Sequence, residues 1–200
     1  MAEQYFAQDP STEHDIHEID FDLEHIHLHL QTDAGVFSKN RVDFGSVVLM
    51  KQALELAIIP GKILDLGTGY GPMGLMLAKK YPDRELDLVD VNERALDLAR
   101  KNAEYNDVIN VNIFASDIYE HVTEKYALIV TNPPIRAGKQ VVNAIHEQAF
   151  DHLLPGGQIV TVLQKKQGAP SAKQLLTETF GNCEVLTRDK GYYILRSIKH

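Results

Sequence analysis

The sequence predicts a Rossmann-like α/β fold: a doubly wound, seven-stranded, mostly parallel sheet that ends in an antiparallel strand pair and is preceded by a β-hairpin. Three observations carry this. From residue 46 onward, short apolar runs alternate with amphipathic segments, the pattern of buried strands joined by helices. A glycine-rich turn, DLGTGYG at 65–71, ends the first of those strands. The last two apolar runs, 183–188 and 191–197, are separated by only two residues, too few for a parallel crossover, so they must pair antiparallel.

The elements follow in order. Residues 1–15 are polar. Residues 16–23 alternate with Ile19, Phe21 and Leu23 on one face, and 25–31 with Ile26, Leu28 and Leu30; a period of two means strands, here paired as a hairpin. His25, His27 and His29 fall on the opposite face and read as a solvated row, because nothing supplies the complementary ligands a metal needs. Ser46 caps a helix to about residue 57. A strand at 62–66, a helix at 72–80, a strand at 85–91 and a helix at 93–106 come next. Strands at 111–115 and 128–131, a helix at 140–154 and a strand at 158–163 follow, then a helix over 171–180 capped by Ser171. No repeat or linker divides the chain. An acidic segment with the hairpin (1–45) and the α/β domain (46–200) form one globular unit.

Composition narrows the class. A chain of 200 residues is long enough for one full core. No apolar run approaches the roughly 20 residues of a membrane span, and the acidic start lacks the basic and apolar regions of a signal peptide. Cys183 is the only cysteine, which excludes an internal disulfide and a multi-cysteine zinc site and fits a reducing cytoplasm. The net charge of −8 is local: nine of the 28 acidic side chains lie in residues 1–33, which hold no Lys or Arg, leaving 19 acidic against 20 basic residues in the remainder. That remainder is neutral enough to carry a basic patch.

The glycine turn has a telling spacing. A dinucleotide fingerprint is GxGxxG, whereas here the third glycine comes one position early, at Gly71, and Pro72 follows. GxGxG after a strand, with an acid (Asp65) before it, is the form methyltransferases use. The next strand ends at Asp90, 23 residues after Gly67, where a carboxylate can accept from both ribose hydroxyls. The third strand runs into Asp117, which is either an acceptor for an adenine amino group or a turn residue. These signals stand at the C-terminal ends of successive strands, the edge where open α/β sheets bind ligands.

The fourth strand ends in Asn132-Pro133-Pro134-Ile135. In doubly wound order the first and fourth strands are neighbours, which sets Asn132 beside the glycine turn. Two prolines stiffen the loop. The Asn132 side-chain oxygen and the Pro133 carbonyl can together accept hydrogen bonds from a planar NH₂ and aim its lone pair. Lys165, Lys166 and Lys173, with Arg136 and Lys139, follow strands on the same edge, and Lys39 and Arg41 are further candidates. They either track phosphate or are ordinary solvated cations.

GVFSKNRVDFGS (35–46), DLGTGYG (65–71), the strand ending at Asp90 and NPPIRAGK (132–139) resemble the ribosomal RNA small subunit methyltransferase C-like family, over nearly the whole chain. The resemblance implies a class I enzyme that uses S-adenosyl-L-methionine. It implies methylation of a guanine N2 amine in small-subunit (16S-type) ribosomal RNA, with that RNA or the small subunit as partner. It also implies roles: Asp65, Gly67, Gly69 and Gly71 on the methionine side of the cofactor, Asp90 on the ribose and Asp117 on the adenine. Asn132 and Pro133 would take the target amine within a catalytic loop that includes Pro134 and Ile135. Phe37 and Ser38 would sit in a loop closing over the cofactor. Two departures stand out. The characterised long form has a further N-terminal domain, and amino-methyltransferases commonly carry an aromatic residue after NPP where this chain has Ile135, with Phe37 the alternative source of stacking. Competing readings are a protein glutamine N5-methyltransferase, which presents the same NH₂ to the same loop, and a non-catalytic cofactor-binding ribosome-assembly factor. A nicotinamide dehydrogenase is disfavoured by Pro72.

Overall fold

A computed structural model describes residues 15–33 and 41–200. β1 (His17–Leu23) and β2 (Ile26–Thr32) form the antiparallel hairpin, with Phe21 opposite Leu28 and Ile19 opposite Leu30. The outward face carries a cross-strand ladder in place of a ligand row: His29 Nδ1 lies 3.0 Å from Asp20 and His27 Nδ1 2.9 Å from Asp22. The Asp20 hydrogen bond raises the His29 pKa, and the same bond lowers that of Asp20. His25 falls in the turn, with φ +69°.

The α/β part follows as α1 (Phe44–Glu55), β3 (Lys62–Leu66), α2 (Pro72–Lys80), β4 (Leu86–Asp90), α3 (Glu93–Tyr105), β5 (Val111–Ala115), β6 (Tyr126–Thr131), α4 (Lys139–Gln148), β7 (Leu153–Gln164), α5 (Ala169–Phe180), β8 (Glu184–Asp189) and β9 (Tyr192–Ile198). The sheet order is β5-β4-β3-β6-β7-β9-β8, with β9 antiparallel to both β7 and β8. The order reverses at β3, which pairs in parallel with both β4 and β6. One face is buried with α1, α2 and the hairpin leucines Leu23, Leu28 and Leu30, the other with α4 and α5.

Three of the departures from the expected boundaries have a clear physical cause. Asp43, not Ser46, caps α1: its Oδ2 accepts the Ser46 N–H at 3.0 Å, so the helix starts at Phe44. Gly168, not Ser171, caps α5; its φ of 107° turns the chain and Pro170 sits in the first turn, where its missing N–H costs nothing. The fourth helix stops at Gln148 instead of residue 154, because Leu153 pairs with Tyr126 and opens a longer β7. Pro155, which has no N–H for a helical bond, belongs to that strand.

β2 docks through side-chain amides. Its outward backbone groups recur every second residue, at His27, His29 and Gln31. The His29 N–H and C=O bond the Asn106 amide at 2.9 and 2.7 Å, and those of Gln31 bond the Asn102 amide at 2.7 and 2.9 Å. Lys79 Nζ donates to the His27 carbonyl at 3.2 Å. Asn102 Nδ2 also donates to the Tyr70 carbonyl at 2.9 Å, so one buried amide joins the hairpin to the glycine turn.

Candidate active site

The glycine turn leaves β3 under backbone control. Gly67 and Thr68 N–H donate to the Val89 carbonyl at 2.8 and 2.9 Å, lashing the turn to β4. Gly67 and Gly69 have φ of 78° and 58°, and a Cβ on either would meet no described residue within 4 Å, so among the described residues their backbone borders open space. Gly71 differs: an added Cβ would lie 3.2 Å from Leu75 and 3.3 Å from Ala99, so this glycine lets α2 and α3 approach. Asp65 stands behind the turn, fully buried. Its Oδ2 accepts the Thr68 hydroxyl at 2.6 Å, while its Oδ1 is buried with no partner among the described residues. Burial pushes the carboxyl up to about 7, against the lowering effect of bonds from Thr68 and the Gly74 N–H.

Asp90 closes the other side. Its Oδ2 accepts Gly69 N–H at 2.8 Å and its Oδ1 accepts Asn92 N–H at 3.0 Å. Burial raises its pKa and these backbone donors oppose the rise. Each oxygen keeps lone-pair capacity. Asp117 lies two residues past β5 and is exposed, and its carboxylate has no protein partner among the described residues. Phe37, Ser38 and Lys39 lie outside the described residues.

Thr131, the last residue of β6, donates its hydroxyl to the Leu66 carbonyl at 2.8 Å. This bond ties the two strand ends together just before Gly67 and Asn132. Asn132 Nδ2 donates to Asp43 Oδ2 at 3.1 Å and to Ser46 Oγ at 2.9 Å. Both amide protons are therefore spent, and the Oδ1 accepts no hydrogen bond from a described residue. Pro133 is buried and Pro134 half-buried; the Pro134 carbonyl takes the Ala137 N–H at 2.9 Å, forming a 3-10 turn over Ile135–Ala137. Ile135 packs inward against the α4–α5 core. Arg136, Lys139, Lys165 and Lys166 are exposed, the last two in a 3-10 turn just after β7. Lys173 is separate: it falls within α5, where its charge partly offsets the burial that raises the Cys183 thiol pKa. Asp43 and the second role of Ser46 were not read from the sequence. The only local signal was the D-x-x-S spacing of a helix cap.

The site suits S-adenosylmethionine on its own geometry. The two open glycines leave backbone room for an extended ligand, and Asp90 and Asp117 present carboxylates at two successive strand ends. With its switch point between β3 and β6, this sheet is that of an S-adenosylmethionine-dependent methyltransferase. More narrowly, the chain belongs to the methyltransferase small domain family, whose model matches residues 27–196.

The uncharacterized protein YbxB of Bacillus subtilis is 45% identical over the full length of both chains. Ribosomal RNA small subunit methyltransferase C of Hamiltonella defensa is 34% identical over 85% of this chain and 50% of its own. The structure of a T. thermophilus 16S rRNA N2 G1207 methyltransferase (RsmC), in complex with AdoMet and guanosine, matches with a TM-score of 0.83 at 27% identity. It covers 92% of this chain and 51% of that one. The chain thus spans about half the length of the ribosomal RNA methyltransferases it resembles. Among the described residues no helix is long and apolar enough to cross a membrane.

Proposed function

We propose that this protein methylates the exocyclic N2 amine of a guanine in small-subunit ribosomal RNA, on the RNA itself or on the assembling subunit, in the cytoplasm. The observation that carries the reading is the orientation of Asn132. With both Nδ2 protons held by Asp43 and Ser46, its Oδ1 is left as an acceptor at the switch point, where an NH₂ donor fits. The named relatives supply the nucleotide and the RNA.

S-adenosylmethionine, when bound, supplies an electrophilic methyl group. The protein's part is positioning. Asn132 Oδ1 and the Pro133 carbonyl would each take one N–H of the amine, leaving the nitrogen lone pair to point out of the amide plane. The amine gains positive charge as it accepts the methyl and then releases a proton. Oδ1, with the Asp43 carboxylate behind its amide, places negative charge where that positive charge develops. Asp90 and the Gly67–Gly69 backbone would bind the adenosyl moiety, Asp65 would brace the turn from behind, and Asp117 would receive the adenine amine. No covalent intermediate is required.

The test is transfer of labelled methyl, in parallel, to ribosomal RNA, to partly assembled subunits and to glutamine-containing peptides, followed by nucleoside analysis. N2-methylguanosine is expected. Label confined to peptides would overturn the RNA reading, and label on adenine the guanine reading.

A further inference from the structure

The same edge of the sheet carries side chains that the reaction above does not use. β8 and β9 are joined by Lys190 and Gly191, with φ of 46° and 85°, the two left-handed positions of a tight hairpin turn. Lys165 N–H donates to the Gly191 carbonyl at 2.8 Å, which pins this turn over the end of β7. Lys165, Lys166, Arg188 and Lys190, distant in sequence, therefore share one rim.

None of the four forms an ion pair with a carboxylate among the described residues, whereas Lys62, Arg94, Arg100 and Arg196 do. Two of them lie over aromatic rings instead. The Arg188 Cζ is 4.7 Å from the centroid of Tyr193, and the Lys190 Nζ is 4.7 Å from that of Phe44. The Phe44 ring stands 5.6 Å from Tyr192 at an interplanar angle of 60°. Gly45 makes room for this pair: a Cβ there would lie 2.7 Å from the Tyr192 ring and 3.0 Å from Asp43 Oδ2. Tyr192 is thus next to the carboxylate that grips Asn132.

A ring neutralises no charge, so these cations stay available to an anion. Half-buried ring faces interleaved with unpaired cations are what unpaired nucleic acid needs, because bases stack on the rings while phosphates meet the charges. A duplex hides its base faces, and an acidic peptide has none to offer. The hairpin β1–β2 shows the opposite chemistry on its outer face, with exposed Glu18, Asp20 and Asp22. A polyanion is repelled there and drawn to the other end of the molecule.

We infer that the β8–β9 turn and the start of α1 form a platform for unpaired RNA nucleotides flanking the target base. Lys165, Lys166, Arg188 and Lys190 meet the phosphates, and the exposed part of Tyr192, braced from below by Phe44, meets a base. This rests on the RNA reading and supplies the aromatic surface that Ile135, turned inward, does not.

The experiment measures binding of a short labelled unpaired oligoribonucleotide, its duplex and a polyglutamate competitor to the full chain over a range of salt. The wild type should favour the unpaired strand. R188A/K190A should weaken it about tenfold and flatten the salt dependence. Y192L should weaken it about tenfold with the salt slope unchanged, and Y192F should restore it. K80A, at the opposite end of α2, should change nothing. Unchanged S-adenosylhomocysteine affinity shows that each variant is folded. Wild-type binding by R188A/K190A and Y192L, or equal competition by polyglutamate, would overturn the platform. If no RNA accepts methyl but these variants still lose the oligonucleotide, the platform stands and the substrate assignment falls. If RNA is methylated with unchanged KM in the variants, the reverse holds.

Discussion

Asp43 and Asn132 lie 89 positions apart in sequence, yet the Asp43 carboxylate holds the Asn132 amide at 3.1 Å while capping α1 through the Ser46 N–H at 3.0 Å. One carboxylate therefore starts a helix and orients the side chain of Asn132. Ser46 shares both tasks, lending its N–H to the cap and its hydroxyl to the amide.

Asn132→Ala should lower kcat by about 10²–10³, the scale for losing a preorganised donor or acceptor at a reacting centre. Its affinity for S-adenosylhomocysteine should stay within twofold. Ser46→Ala and Asp43→Asn each leave the amide one good partner, so kcat should fall only about 3–10-fold, the worth of one hydrogen bond. Steady-state kinetics beside calorimetry separates the two quantities; a matching drop in cofactor affinity would reassign Asn132 to cofactor binding.

Asp90→Ala should weaken S-adenosylhomocysteine binding by about 1.5–3 kcal/mol, the range for hydrogen bonds to a charged group. The variant also strips the Gly69 and Asn92 N–H groups of their acceptor, so turn and ligand suffer together. Titration calorimetry reads the loss, and NAD should give no heat with either protein.

Asp65 makes a pH prediction. Its carboxyl is raised from 3.8 to about 7 by burial, so the folded state holds a proton that the unfolded chain has released. Stability is then greatest below about pH 4 as far as this group is concerned, and is lost as pH rises to about 7, by roughly 4 kcal/mol in all. Asp65→Asn removes the titration. Its unfolding free energy should gain on the wild type between pH 5 and pH 8; denaturant melts showing parallel pH profiles would reject this.

The sequence made the sheet legible because its signals were local. Apolar runs marked every strand of the sheet, and β3, β5 and α2 have the bounds the pattern predicted. The position of Asn132 followed from strand order alone, since β3 and β6 had to be neighbours. What stayed hidden depends on contacts between distant segments. Nothing near Asp43 announces that its second partner is Asn132, and nothing near Lys190 announces that its turn is pinned to Lys165. The end of α4 was missed for the same reason: Leu153 is apolar at a helical spacing, and only its pairing with Tyr126 makes it a strand residue.

Asn102→Ala should destabilise the fold by about 1–3 kcal/mol, because it strands the Gln31 backbone groups and the Tyr70 carbonyl without partners. Equilibrium unfolding in urea measures this, and an unchanged midpoint would show that water replaces the amide without loss.

The amides of Asn102 and Asn106 have one more effect. A two-stranded ribbon ordinarily presents open rims on which a stray chain can grow as a further strand. Here the rim of β2 is saturated by side chains from a helix, which cannot extend as a strand would. That rim of the hairpin is thereby closed to a neighbour's backbone, by two asparagines that no catalytic argument would select.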